Sequence, residues 1–181
     1  MTTLPGADAP VFLIGFMASG KTTVGRILAA KLRWRFLDLD GVITDAAGLS
    51  VEQIFAREGE AGFRARESEA LRQAAASPRA VVATGGGAAC VEPNLALMLA
   101  SGRVVTLLVA PGDAVRRAGP ASGRPLLAPA AGAADPLAAA FRLLAAREPF
   151  YARAHHRVET SGKSPEDVAD EVLRLLDADP R

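Results

Sequence analysis

The chain has 181 residues, of which 23% are charged, and its formal net charge is +1 at pH 7. This length predicts one domain spanning 1–181, large enough to bury roughly two thirds of the surface that its unfolded form exposes. Because basic and acidic residues are interspersed, we expect no nucleic-acid partner, and without a run of about 20 apolar residues we expect no membrane partner.

The first residues and the cysteine content limit the class of protein further. The start of the sequence lacks the basic and apolar segments of a secretory signal, which predicts a cytoplasmic protein. Cys90 is the only cysteine, so it cannot form an internal disulfide, and we expect it to be a small buried packing residue. A monomer is the default expectation.

The N-terminal part of the sequence begins with a strand, a helix and a second strand. A continuous apolar run predicts a buried strand over 11–16, helical periodicity follows over 22–32, and a second strand is predicted over 35–39. Ser50 and Gln53 have the spacing of a capping box, which predicts the start of another helix.

The middle of the chain continues the alternation of helices and strands. Helices are predicted over 61–75 and 93–100, and strands over 81–85 and 103–109. Such alternation predicts βαβ crossovers and an α/β fold with a doubly wound sheet.

The C-terminal part adds a helix over 136–152, a strand over 156–160 and a last helix over 165–177. Ser164 and Pro165 are typical of the start of that helix. The preceding segment 119–136 is crowded with Gly, Pro and Ala, and loops of this length are functional lids or disordered linkers.

A P-loop pattern follows the first predicted strand. Gly15, four further residues, Gly20, Lys21 and Thr22 match it in full, between a strand and a helix as the pattern requires. The glycines let backbone N–H groups approach phosphate oxygens, Lys21 is expected to reach the β- and γ-phosphates, and the Thr22 hydroxyl is expected to bind Mg²⁺. The pattern predicts binding of ATP or GTP.

Two acids end the second predicted strand. Asp38 and Asp40 are expected to project to the same side of the backbone, beyond the edge of the sheet where α/β folds bind ligands. One could meet the waters of Mg²⁺ and the other an acceptor hydroxyl. The alternative is that these acids only cap the following helix.

Six motifs in order give a resemblance that covers nearly the whole chain: GFMASGKTTVGRILA, FLDLD, SVEQIFAREGEAGFRARESEAL, ATGGGA, GRPLL and REPFYARAH. The sequence resembles the shikimate kinases. This resemblance implies a three-layer, nucleoside-monophosphate-kinase-like sheet of five parallel strands in the order 2-3-1-4-5, with a mobile lid at 119–136. It also implies transfer of the γ-phosphoryl group of ATP to the 3-hydroxyl of shikimate, with Mg²⁺, in the chorismate pathway of aromatic amino acid biosynthesis.

The resemblance also assigns residues to the acceptor. The shikimate site is implied to consist of Asp40, Arg64, Glu67, Gly85, Gly86, Gly87 and Arg147. The two arginines would bind the carboxylate as planar forks, Asp40 would bond the hydroxyls and take the proton, and the Gly86 N–H would donate to the ring substituents. Glu67 would orient Arg64 through an i,i+3 contact.

A second set of residues is implied for the nucleotide. The ATP site would consist of Gly15, Ala18, Ser19, Gly20, Lys21, Thr22, Thr23, Arg117, Arg124 and Lys163. Arg124 would close over the phosphates as part of the lid, and Arg117 and Lys163 would lie near adenine. Lys21, Asp40 and Arg124 are the implied catalytic residues, and Thr22 and Asp38 the implied metal site.

The sequence departs from the family pattern at Ala18 and Ser19, where many relatives have Gly-Ala or Gly-Ser. Taken singly, the acceptor residues also have simpler interpretations. Arg64 and Glu67 could be an exposed ion pair, Arg147 could extend from a solvated helix face, and 85–87 could be a loose turn.

Two other functions compete with shikimate phosphorylation. One is another small-molecule kinase of the same fold, acting on gluconate or a nucleoside monophosphate. The other is a non-catalytic ligand sensor. Only ten residues precede the first predicted strand, too few for a helix-turn-helix, and the retained phosphate and acid residues argue against an inactive site.

Overall fold

A parallel sheet of five strands organises the chain in the computed structural model, which describes residues 6, 8–119 and 136–178. The strands are β1 (Val11–Ile14), β2 (Arg35–Asp38), β3 (Ala80–Ala83), β4 (Arg103–Leu108) and β5 (His156–Glu159). All neighbours pair in parallel, in the order β2-β3-β1-β4-β5, so the predicted fold class is confirmed.

Helices connect the strands and cover the sheet. They are α1 (Lys21–Leu32), α2 (Leu39–Ala47), α3 (Val51–Ala75), α4 (Glu92–Ser101), α5 (Pro111–Ala118), α6 (Pro136–Tyr151) and α7 (Pro165–Ala178), with a short 3₁₀ helix at Ala88–Cys90. In the ranges described, no helix has the length and apolar character needed to cross a bilayer.

Alternation along β1 separates the core into two layers. Phe12 and Ile14 belong to a larger cluster with side chains of α2 to α6, whereas Val11 and Leu13 belong to a smaller cluster with α1 and α7. Since successive strand residues point to opposite faces, helices cover both faces of the sheet. Cys90 is half-buried and packs against the larger cluster.

Two helix starts form as predicted. Ser50 Oγ accepts a hydrogen bond from Gln53 N at 3.2 Å, and Gln53 Oε1 accepts one from Ser50 N at 2.9 Å, which confirms the capping box. Ser164 Oγ accepts from Asp167 N at 3.1 Å at the start of α7.

Other elements differ from the sequence prediction. A helix covers the predicted residues 61–75, but it follows the helix that starts at Val51 with only a break at Gly59, where φ is 70°. The helix α5 (Pro111–Ala118) was not predicted from the sequence. Of the predicted lid at 119–136, residues 120–135 lie outside the described part of the chain.

The first testable consequence concerns Gly102, which joins α4 to β4 in an extended conformation. A Cβ there would overlap Pro10 O and lie 2.6 Å from Phe12 Cε2. Because a strand backbone and a buried ring cannot both move aside, we expect Gly102→Ala to lower the free energy of unfolding by about 1–3 kcal/mol, measured by urea denaturation.

Gly112→Ala is the matched control, because Gly112 lies in α5 and, apart from its chain neighbours and the backbone of that helix, no described atom is within 4 Å of its added Cβ. Its unfolding free energy should stay unchanged or rise by up to about 1 kcal/mol, since alanine favours helix. Equal stability of the two variants would contradict the packing argument.

Candidate active site

A cleft of about 1180 Å³ lies beyond the carboxyl ends of β1, β2 and β3. The predicted site residues that line it are Ala18, Gly20, Lys21, Thr22, Thr23, Asp38, Asp40, Arg64, Glu67, Gly85, Gly86, Gly87, Arg117, Arg147 and Lys163. Gly15 and Ser19 belong to the same P-loop, and Arg124 lies outside the described residues. The fold therefore gathers into one cleft residues that are far apart in the sequence.

The backbone of the P-loop depends on left-handed residues. Gly15 has a φ of 133° and Gly20 a φ of 96°, and a Cβ on Gly15 would overlap Leu107 O of β4. Ala18 is also left-handed, with a φ of 56°, a conformation that is uncommon for residues other than glycine. Gly20 precedes the first turn of α1, whose N–H groups and dipole favour an anion.

Lys21 is held at the centre of the loop. Its Nζ donates to Phe16 O at 2.8 Å, to Gly15 O at 3.0 Å and to Ser19 Oγ at 3.4 Å. The side chain is nearly buried, yet it borders the cleft. The loop thus fixes a positive charge where a phosphate chain would lie.

Thr22 and Asp38 form an oxygen-rich pair beside the loop. Thr22 Oγ1 donates to Asp38 Oδ2 at 2.8 Å, which leaves the lone pairs of the hydroxyl for another partner. Hydroxyl and carboxylate oxygens are the donors that Mg²⁺ prefers, so the pair fits this ion chemically.

The two acids that line the cleft lie in different secondary-structure elements. Asp38 ends β2 and caps α2, because its Oδ1 accepts a hydrogen bond from Asp40 N at 3.2 Å. Asp40 lies in the first turn of α2, so the prediction that both carboxylates project from a strand is wrong. The capping interpretation is correct for Asp38, and both residues still line the cleft.

Arg64 and Glu67 of α3 form an ion pair on the far side of the cleft. Arg64 Nη1 donates to Glu67 Oε2 at 2.7 Å, and its Nη2 donates to Glu60 Oε1 at 3.3 Å. The i,i+3 contact is confirmed. The exposed-pair interpretation is wrong, because only 1% of the Glu67 side chain is exposed.

The second oxygen of Glu67 is buried without compensation. Its Oε1 has no hydrogen-bond partner within the described residues, and a Cβ on Gly85 would lie 2.8 Å from it. Burial raises the pKa of Glu67, Arg64 opposes that rise, and the charge of Asp40 adds to it. Burial disfavours the charged form of Arg64, but its bonds to Glu67 and Glu60 prevail and raise its pKa.

The three glycines after β3 pack tightly between charged groups. A Cβ on Gly87 would lie 2.8 Å from Arg64 Nη2, and one on Gly86 would lie 3.5 Å from both Arg147 Nη1 and Met17 N. A side chain at Gly85 or Gly87 would require Glu67 or Arg64 to move, whereas a Cβ on Gly86 would make ordinary contacts. The loose-turn interpretation is wrong, because Gly86 O also accepts two hydrogen bonds from α6.

Arg147 reaches the glycine turn from α6. Its Nη1 donates to Gly86 O at 3.0 Å, and only 8% of the residue is exposed, so the solvated-face interpretation is wrong. Tyr151 Oη donates to the same oxygen at 2.6 Å. Sequence reasoning missed Tyr151, although its position one helical turn after Arg147 was a usable signal.

The remaining two predicted residues lie at the other end of the cleft. Arg117 donates to Thr160 O at 2.9 Å, to Thr160 Oγ1 at 3.3 Å and to Ala18 O at 3.4 Å, and thus joins α5 to the P-loop. Lys163 Nζ lies 2.5 Å from Glu171 Oε2 of α7. Thr160 was not predicted, because no sequence motif marks it.

Comparison with known proteins identifies the family. Residues 17–177 match the family described as shikimate kinase. The shikimate kinase of Moorella thermoacetica is 46% identical over 168 residues, covering 93% of this chain and 94% of the relative. The one from Geobacter metallireducens is 42% identical over 173 residues, covering 96% and 94%. The chain belongs to the shikimate kinase family.

Solved structures agree with this family. Shikimate kinase from Acinetobacter baumannii in complex with shikimate superposes with a TM-score of 0.86 at 37% identity, covering 97% of this chain and 94% of that chain. A gluconokinase from Sinorhizobium meliloti has a TM-score of 0.61 at 14% identity, which shows a shared fold alone. As a member of the shikimate kinase family, the chain is an ATP-dependent small-molecule kinase.

The burial of Glu67 gives the second prediction. Because its pKa is raised above the ordinary 4.5, the folded state binds this proton more tightly than the unfolded state does. The contribution of Glu67 to the unfolding free energy of the wild type therefore falls as pH rises from 4.5 through the raised pKa, because its buried carboxyl becomes charged. We expect the unfolding free energy of Glu67→Gln, minus that of the wild type, to increase with pH.

Urea denaturation at intervals between about pH 4.5 and pH 7.5 measures this difference. Glu60→Gln is the control, because it removes the exposed partner of the same guanidinium and should change stability little. A difference for Glu67→Gln that falls with rising pH would refute the raised pKa.

Proposed function

We propose that the chain transfers the γ-phosphoryl group of ATP to the 3-hydroxyl of shikimate, a reaction of aromatic amino acid biosynthesis. The observation that carries the proposal is the pair of arginines on the glycine turn, Arg147 buried and Arg64 partly buried, in the same cleft as Lys21. The related structure in complex with shikimate supports the same acceptor.

The acceptor site is suited to a small carboxylate with several hydroxyls. Arg64 approaches the turn from α3 and Arg147 approaches it from α6, so two guanidiniums converge on one three-residue segment. Each guanidinium can bind a carboxylate through two parallel hydrogen bonds. We assign the shikimate carboxylate to this pair and the ring to the surface of Gly85, Gly86 and Gly87.

Asp40 lies beside Glu67 at the first glycine of the turn. A Cβ on Gly85 would be 3.2 Å from Asp40 Oδ1 and 2.8 Å from Glu67 Oε1, so the two carboxyls share one side of the site. Asp40 is assigned to accept from the reacting hydroxyl, orienting it and receiving its proton as the new phosphate ester forms. Glu67 is assigned to hold Arg64 and to contact the ring substituents.

The nucleotide is assigned to the P-loop half of the cleft. The N–H groups at the start of α1 and the ammonium of Lys21 would bind its phosphates and stabilise charge during transfer. Thr22 and Asp38 would hold Mg²⁺, directly or through its waters, and when bound this ion neutralises phosphate charge. Arg117 and Lys163 border the end assigned to adenine. The role of Arg124 stays a prediction.

The two alternative functions have weaker support. A gluconate kinase shares the fold but not the sequence, at 14% identity, and gluconate is an open chain without the ring hydroxyls for which the acceptor site is assigned. A sensor would not require the Lys21 anchor, the Thr22–Asp38 pair and Asp40 to line one cleft. A monomeric state, a cytoplasmic location and the absence of nucleic-acid and membrane partners remain expectations of the sequence.

A substrate panel tests the proposed function. With Mg²⁺ and ATP, we expect ADP release in a coupled assay to depend on shikimate and to be near background with gluconate or AMP. The physical reason is that the two arginines select a carboxylate, which AMP lacks, while the adjacent carboxyls select ring hydroxyls, which gluconate lacks. Turnover of gluconate at or above the rate with shikimate would refute the proposal.

The variant Arg147→Lys tests whether the acceptor half of the cleft binds its substrate independently of the nucleotide half. Lysine keeps the charge but loses the planar fork, so we expect shikimate affinity to fall at least about tenfold while ATP affinity changes less than about twofold. Calorimetric titration of each substrate alone measures both values.

Arg153→Lys is the control for Arg147→Lys. Arg153 follows the end of the same helix and is bonded to Glu92 on the surface at 2.6 and 2.8 Å, outside the cleft. It should leave both affinities unchanged. Equal losses of ATP and shikimate affinity in Arg147→Lys would remove that arginine from the acceptor site.

A further inference from the structure

Tyr151 is a fully buried phenol directly behind the acceptor side of the cleft. Among the described residues, it is the largest fully buried side chain by volume. It follows Arg147 by one turn on α6. Its Oη donates to Gly86 O at 2.6 Å. Tyr151 itself does not line the cleft, so it acts on whatever binds there through other groups.

The Gly86 carbonyl receives two donors from the same helix. Arg147 Nη1 lies 3.0 Å from the oxygen that also accepts from Tyr151. A carbonyl oxygen has two lone pairs, so it can satisfy both donors at once. The carbonyl thus joins the buried phenol to the guanidinium that borders the cleft.

A glycine peptide needs such an anchor more than other residues do. Gly86 has no Cβ to restrict its backbone, so the orientation of the peptide between Gly86 and Gly87 depends on its hydrogen bonds. The hydroxyl of Tyr151 fixes that peptide from the side of the core. The hydroxyl also hydrogen-bonds the side chain of Arg147, so it restrains the guanidinium directly as well as through the carbonyl.

The phenol is itself held in position. Thr106 Oγ1 of β4 donates to Tyr151 O at 2.8 Å, which attaches the end of α6 to the sheet. Burial raises the pKa of Tyr151 above its ordinary value, although the charge of Arg147 opposes that rise. The hydroxyl therefore keeps its proton, and remains a donor, throughout the physiological range.

We propose that Tyr151 is a positioning residue for the acceptor: its hydroxyl holds the Gly86 carbonyl and, through it, orients the glycine turn and the guanidinium of Arg147 to receive the carboxylate of shikimate. This inference rests on the proposed function, because it takes Arg147 and the turn as the carboxylate site. It adds a residue that contacts neither substrate.

Tyr151→Phe tests the inference, since it removes one oxygen and keeps the ring that fills the core. We expect shikimate to bind about tenfold more weakly without nucleotide, because the Gly86 carbonyl loses a buried partner and Arg147 loses its fixed orientation. The KM for shikimate should rise to match, and the KM for ATP should change less than about twofold. Calorimetric affinity depends only on folded protein, so a reduced yield does not affect the result.

Thr106→Val is the matched control. It removes the hydrogen bond to the backbone oxygen of Tyr151 and preserves the volume of the side chain, but it leaves the phenol bonded to Gly86. It should lower the melting temperature to a degree comparable with Tyr151→Phe while shikimate affinity stays within about twofold. If both variants weaken shikimate equally, Tyr151 only stabilises the fold and the proposal is overturned.

A double variant shows whether Tyr151 acts through Arg147. In an Arg147→Lys background, the added Tyr151→Phe should reduce shikimate affinity by much less than the tenfold expected in the wild type, because the oriented fork is already lost. Fully additive losses would overturn the mechanism.

The outcomes distinguish this inference from the proposed function. Unchanged shikimate affinity in Tyr151→Phe, with a large loss in Arg147→Lys, overturns the inference alone. Unchanged affinity in Arg147→Lys removes that arginine from the acceptor site and overturns the inference with it, whereas no turnover of shikimate by the wild type overturns the proposed function as well.

Discussion

The pairing of β1 with β3 is the constraint on which the rest of the site depends. Leu13 lies opposite Ala83, and Leu13 O accepts from both Thr84 N and Thr84 Oγ1 at 3.1 Å. Beyond this point one strand continues into the P-loop and the other into the glycine turn. A Cβ on Gly86 would lie only 3.7 Å from Gly15 O. Phosphate-binding and acceptor-binding backbones are therefore neighbours because their strands are neighbours.

Buried charge sets the character of the acceptor half. Glu67 and Arg147 are almost fully buried. Glu67 is bonded to Arg64, and Arg147 is bonded to the carbonyl of Gly86. Breaking a buried pair leaves an uncompensated charge, so the arrangement is rigid even where its net contribution to stability is small. The uncompensated Oε1 of Glu67 fits this picture, since an acceptor with hydroxyl groups could supply the missing donor.

Much of this structure could be predicted from the sequence, because local patterns determine it. The strands showed as apolar runs, the P-loop as a motif at a strand-to-helix junction, and the capping box of Ser50 as a spacing of three residues. Tertiary contacts determine the rest. No local pattern shows that Asp40 lies in a helix, that Thr160 meets Arg117, or that a tyrosine in an ordinary helix bonds a glycine carbonyl 65 residues away.

The interruption of α3 at Gly59 divides one wall of the cleft into two parts that only side chains connect. Val51, Glu52 and Phe55 line the cleft before the break, whereas Arg64 and Glu67 line it after the break. With a break in the helical backbone at Gly59, side chains connect the two parts: Phe55 stacks on Phe63 with ring centroids 4.7 Å apart, and Glu58 accepts two hydrogen bonds from Arg66 at 2.8 Å. A substitution at Phe55 therefore reaches Arg64 through the ring of its neighbour Phe63, so the shape of the acceptor wall and the position of the arginine change together.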